Sequence, residues 1–264
     1  MSFLIILVKK IKSIYMNILV CISSVPDTTS SITFSDGNTK FNQDGITFII
    51  NPYDEFCLTK AVFIKESVGA TITAINVGDN KNDSILRKSL AIGADKAVRI
   101  NQEATNSKIV ADCIANYCSQ KTFDLIFCGT ESIDYNGGKV PGFIASNLNM
   151  PFINGCIGLE IEGKTLNLKR TIDNGYEICT SPLPSLIAGQ KGLVEEKELR
   201  IPSMRGIMTA RTKPLEIIEA SLTDEAGIRV LEYEKPLARS ECKIINEDNV
   251  SNLVELLHSE AKVI

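Results

Sequence analysis

The chain has 264 residues, 44% of them hydrophobic and 23% charged, with a formal net charge of −4. That length suits one large α/β domain or two small ones with a sizeable core, and the lack of a basic surplus argues against nucleic-acid binding. A single histidine, His258, and eight cysteines without C-x-x-C spacing leave little for histidine-based catalysis or a metal site.

The cysteines are scattered, several inside apolar runs, and read as buried, reduced thiols of a cytoplasmic protein. Residues 1–15, MSFLIILVKKIKSIY, hold an apolar run far shorter than the roughly 20 residues of a membrane span, and it precedes its charges. Neither a signal peptide nor membrane insertion is expected, and the segment is read as an upstream extension without assigned function.

From Met16 to about Pro151, short β-branched runs alternate with helical patterns, the sequence form of βαβ units on a mostly parallel sheet. Strands are expected at Ile18–Ile22, Thr71–Val77, Ala97–Ile100 and Leu125–Cys128. Asn51-Pro52 resembles a helix start, with Pro52 in the first turn, where its missing N–H costs nothing. Further helices are expected from Asp83 to Ile92, with Gly93 as a left-handed stop, and over Ser107–Cys118.

After Pro151, Ile157, Leu159, Ile161, Leu166 and Leu168 alternate with polar residues around Gly163-Lys164, and Asn174-Gly175 marks a second turn. This portion is expected to be antiparallel, with Leu183–Ala188 returning as a buried strand. Residues 16–190 are therefore read as one α/β domain. Residues 191–264, apart from a short helix near Val250–Leu257, are read as an extended arm that packs on a partner.

The informative segment is Gly129–Val140, GTESIDYNGGKV, which follows one expected strand and precedes a helical pattern from about Gly142 to Leu148. Ligands bind at the carboxyl ends of strands in open α/β sheets. A glycine-containing loop feeding a helix N-terminus lets backbone N–H groups approach a phosphate, and Lys139 adds positive charge. The loop matches neither common glycine-rich fingerprint, and an ordinary strand-to-helix connection reads the same way. Asp134 equally suits a turn cap, Asn51-Pro52 a plain helix cap, Cys21 and Val77 plain strand positions, and Leu193 a locally packed loop leucine.

Six segments in order resemble the electron-transfer flavoprotein beta (small) subunit family across nearly all of Met16 to Val250: NILVCISSVPDT, NPYDEFCLTKAV, RKSLAIGADKAVRI, DLIFCGTESIDYNGGKVPGFIASNLNMP, RTIDNGYEICTSPLPSL and PSMRGIMTARTKPLEII. The resemblance implies an adenine-nucleotide alpha-hydrolase-like (Rossmann-like) fold. It also implies an electron-carrier subunit without catalytic residues that binds AMP and forms a heterodimer with an alpha subunit holding most of the FAD site. Such pairs take electrons from acyl-CoA dehydrogenases and related flavoenzymes in fatty acid oxidation and pass them to a quinone-linked oxidoreductase.

Carried over by position, the implied AMP contacts are Cys21, Asn51, Pro52, Tyr53, Asp54, Val77, Gly129, Thr130, Glu131, Ser132, Ile133, Asp134, Tyr135, Asn136, Gly137, Gly138, Lys139 and Val140. The implied partner-recognition anchor is Leu193, with Leu199 as competitor. Two departures stand out: Gly138-Lys139 replaces an amide-bearing pair at the phosphate, and Gly189–Arg200 is longer than the family's turn. Two other readings remain: a second FAD in the AMP site, as in bifurcating relatives, and a free-standing adenine-nucleotide-binding regulator.

Overall fold

The computed structural model describes residues 15–220, 222, 230–238 and 242–264, so residues 1–14 of the expected extension lie outside the described residues. The described residues pack as two compact units. One runs to Ile32 and resumes at Gln43; the other combines Thr33–Asn42 with the chain from Val230 onward.

The first unit opens with β1 (Met16–Cys21), followed by β2 (Ser24–Pro26). Next in the chain come β3 (Thr33–Ser35) and β4 (Lys40–Asn42), an antiparallel hairpin of the second unit. The first unit resumes with β5 (Phe48–Ile50), which pairs antiparallel with β2. Then follow α1 (Pro52–Val68), β6 (Ala70–Val77), α2 (Asp83–Ile92), β7 (Lys96–Asn101), α3 (Ser107–Ser119), β8 (Leu125–Gly129) and α4 (Val140–Asn147). These match the strands and helices expected up to Pro151, whereas the short antiparallel pairs β2–β5 and β3–β4 carry no sequence period that announces them.

Gly93 departs from expectation. Its φ of 161° is extended rather than left-handed, and glycine is required instead because a Cβ there would lie 2.6 Å from Val62 Cγ2.

Beyond Pro151 lie β9 (Phe152–Glu162), β10 (Thr165–Ile172), β11 (Gly175–Pro182) and β12 (Ser185–Gly189). The antiparallel portion is β9–β10–β11, while β12 inserts between β9 and β8 and runs parallel to both. Then come α5 (Met204–Ala210) and β13 (Leu215–Glu219), the latter parallel to β7. The sheet has nine strands in the order β11-β10-β9-β12-β8-β1-β6-β7-β13.

Strand alternation divides the core into two layers. Ile18, Val20, Leu125 and Phe127 face the layer of α1 and α2. Leu19, Cys21, Ile126 and Cys128 face the layer of α3 and α4. Within the second unit, Phe34 stacks on Tyr233 with centroids 4.9 Å apart, Tyr233 N donates to Asn38 O, and α6 (Val250–Leu256) exposes Val250 and Val254.

Candidate functional site

Strand order locates the crevice. The chain leaves β1 for β6 and β7 on one side, then returns through α3 to β8 on the other side. The loops after β1 and β8 therefore diverge at their carboxyl ends, the topological switch point at which open α/β sheets bind ligands.

The start of α1 is built into that crevice. Asn51 precedes the helix but does not cap it with its side chain. Instead, Asn51 Nδ2 donates to Glu131 O at 2.9 Å, and its Oδ1 accepts from Ile133 N at 3.3 Å. Three residues on, Asp54 accepts from Ser23 N and from Gly129 N, each at 2.7 Å. Asn51 and Asp54 are both buried, so their side chains hold the loops rather than face solvent. Pro52 and Tyr53 are half-buried, and burial together with the Glu131 carboxylate raises the Tyr53 phenol above its ordinary range.

The loop after β8 is bounded at both ends. Thr130 N donates to Gly189 O at 2.8 Å, Thr130 Oγ1 to Asn154 Oδ1 at 2.7 Å, and Ser132 N to Gly137 O at 3.1 Å. Asn136 takes the left-handed conformation with φ of 49°, which short polar side chains tolerate, and so closes the bend. Asp134, Tyr135, Asn136, Gly138 and Lys139 are exposed; Ser132, Ile133, Gly137 and Val140 are half-buried. Lys139 immediately precedes α4, no side chain caps that helix, and Pro141 in its first turn has no N–H, so the first-turn N–H groups left without a side-chain cap are those of Val140 and Gly142.

Cys21 and Val77 end β1 and β6, buried at 7% exposure each, on the α3–α4 side of the sheet. Six cysteines are buried, Cys179 is half-buried and Cys242 exposed. The Cys128 thiol is held well above its usual range by the neighbouring Cys21 thiol and by burial.

The two expected anchor leucines lie elsewhere than at the surface. Leu193 is 5% exposed and packs in the main core, and Leu199 is partly buried against the same core. The exposed apolar side chains nearby are Ile201 at 82%, Met204 at 79% and Met208 at 69%. The i, i+4 spacing of the two methionines on α5 is the sequence signal for this face. Helix α5 is tied to α2 through Arg87 Nη1, which donates to Ala210 O at 2.7 Å and to Lys213 O at 2.8 Å. The stretch Arg205–Lys213 is mostly exposed, as its charges suggest, and its first part is the helix α5, whose Ala210 alone is buried.

The fold and the loop define an open α/β domain with a candidate ligand site at the β1–β8 switch point. The family description "Electron transfer flavoprotein domain" matches residues 39–223. The electron transfer flavoprotein subunit beta of Bacillus subtilis (strain 168) is 35% identical over 262 residues, 94% of this chain and 100% of its own. That of Syntrophomonas wolfei is 31% identical over 253 residues, 94% of this chain and 98% of its own. The acryloyl-CoA reductase electron transfer subunit gamma of Anaerotignum propionicum is 29% identical over 225 residues, 81% of this chain and 82% of its own. This chain belongs to the electron transfer flavoprotein beta-subunit family. Among the described residues, no helix is long and apolar enough to cross a membrane.

Proposed function

We propose that this chain is the AMP-binding beta subunit of a cytoplasmic heterodimeric electron-transfer flavoprotein and carries no catalytic residues of its own. The observation that supports the reading is the Gly129–Val140 loop, held open by Asn51 and Asp54 at the switch point and ending in Lys139 and the uncapped start of α4. A phosphate fits that donor set: an ammonium, two glycines whose backbone is not shielded by side chains, and free helix N–H groups. The Asn51–Asp54 turn would border the nucleotide through its backbone, since its two polar side chains are engaged with the loops. Bound FAD, held mainly by the alpha subunit, would carry the electrons; this chain stiffens around AMP and helps hold the flavin-bearing partner.

Residues 191–264 supply the partner surface in this reading. Acyl-CoA dehydrogenases would dock where apolar side chains meet solvent beside cations, at Ile201, Met204 and Met208 with Arg205 and Arg211. Docking through Leu193 or Leu199 would first require the loop to open. A quinone-linked oxidoreductase is the proposed acceptor.

The test is to co-express the chain with its alpha subunit, purify the pair, release bound nucleotides with acid and identify them. One AMP and one FAD per heterodimer are expected. A pair lacking adenine nucleotide other than one FAD would refute the AMP site. Two FAD per pair would establish the second reading, a bifurcating-type subunit, which the likeness to an acryloyl-CoA reductase electron transfer subunit supports.

Lys139→Glu places a carboxylate where a phosphate is to sit, and is expected to reduce AMP content at least tenfold at low salt, with partial recovery at high salt. Full AMP stoichiometry in the purified variant pair would move the phosphate away from Lys139.

A further inference from the structure

Helix α5 has seven residues and buries only one of them, Ala210. A helix that short is not stable by itself, and one buried alanine supplies little packing to hold it. A groove of about 530 Å³, lined by Arg87, Lys88, Pro202, Ile207, Ala210 and Arg211, also opens beside its contact with α2. The orientation of α5 therefore comes from the few points at which it meets α2.

Those points form a reciprocal cap. Arg87 Nη1 on α2 donates to Ala210 O at 2.7 Å and to Lys213 O at 2.8 Å, at the carboxyl end of α5. In return, Lys213 Nζ donates to Leu90 O at 2.8 Å and to Ala94 O at 2.6 Å, at the carboxyl end of α2. Each cation thus satisfies terminal carbonyls of the other helix and sits at the negative end of its dipole. Gly206 completes the contact, because a Cβ there would lie 2.4 Å from Ala91 O, and only glycine lets the two backbones come so close.

We propose that Arg87, Gly206 and Lys213 are positioning residues for electron transfer: they seat α5 on the end of α2 and so hold Met204 and Met208 in the orientation that a dehydrogenase meets. The inference rests on reading the α5 face as the docking site. The two methionines are 79% and 69% exposed, so their placement is set by the helix backbone and not by packing of their own side chains. Gly206→Ala separates the seat from the helix itself. Alanine is the better helix former, so a face that needed only a formed helix would be kept or improved. The added Cβ instead meets a backbone oxygen, and α5 has to lift from α2.

In the heterodimer, electron transfer from an acyl-CoA dehydrogenase is measured at varied heterodimer concentration for Gly206→Ala, Arg87→Met and Lys213→Met. The KM for the heterodimer should rise by about tenfold in each, while kcat, FAD content and reduction of the flavin by dithionite stay within about twofold of wild type. Amide exchange within α5 should quicken in the same variants. A rise in KM accompanied by loss of FAD would make the three residues merely structural and overturn the proposal. An unchanged KM overturns it too; if Met204→Asp still raises KM, the docking face stands and only the seat falls, whereas a silent Met204→Asp removes the docking face as well. Should Arg87→Met or Lys213→Met fail to assemble, Gly206→Ala decides, since it deletes no polar group: a raised KM supports the seat and an unchanged one refutes it.

Discussion

Replacing Leu193 by alanine is expected to lower the unfolding free energy of the subunit by about 2–4 kcal/mol, because it empties a core position rather than trimming a surface contact. Leu193 is 5% exposed and lies so close to β12 that a Cβ on Gly189 would come within 2.6 Å of its Cδ2. Thermal unfolding of the heterodimer with and without the substitution measures this. Met204→Asp is the counterpart: Met204 is 79% exposed, so the melting temperature should hardly move, while electron transfer from a dehydrogenase should slow by about tenfold. The opposite pattern, with Leu193→Ala neutral for stability and slow in transfer, would mean that the loop opens in solution and presents Leu193 as the anchor.

Gly129→Ala should cost a comparable amount and also empty the proposed nucleotide site. A Cβ on Gly129 would sit 2.5 Å from Asp54 Oδ1 and 2.8 Å from Tyr53 Cβ. The opposing wall is the first turn of α1, whose Pro52 and Asn51 are fixed by the helix start and by the loop, so it cannot retreat cheaply. Overpacking of this kind costs about 1–3 kcal/mol, and displacing Asp54 forfeits its bond to the Gly129 amide as well. The expected result is a melting temperature lower by several degrees and loss of most bound nucleotide. A variant that melts normally and keeps its nucleotide would show that β8 and α1 separate more easily than their packing implies.

Gly129 and Lys139 show how differently parts of one loop can be read from sequence. That the segment connects a strand to a helix follows from the apolar run Leu125–Cys128 and the helical pattern after it, because those periods reflect local burial. Asn51 and Asp54 were legible as a helix start. Their actual work, holding Glu131, Ile133, Ser23 and Gly129, was not, since it depends on segments up to 82 residues away. Leu193 was misleading for the same reason: among charged neighbours it looks like a lone exposed anchor, and only the fold turns it inward.

The sequence by itself determined the βαβ order, the position of the antiparallel strands and the family, because strand and helix periods, turn residues and ordered motifs are written locally along the chain. The tertiary structure decided what depends on chain segments meeting: the insertion of β12 between β8 and β9, the addition of β13 at the far edge and the burial of Leu193. It also decided the use of a buried Asp54 carboxylate to join two loops. Each of these is a pairing or packing between residues far apart in sequence, and its free energy comes from groups that no local pattern can bring together.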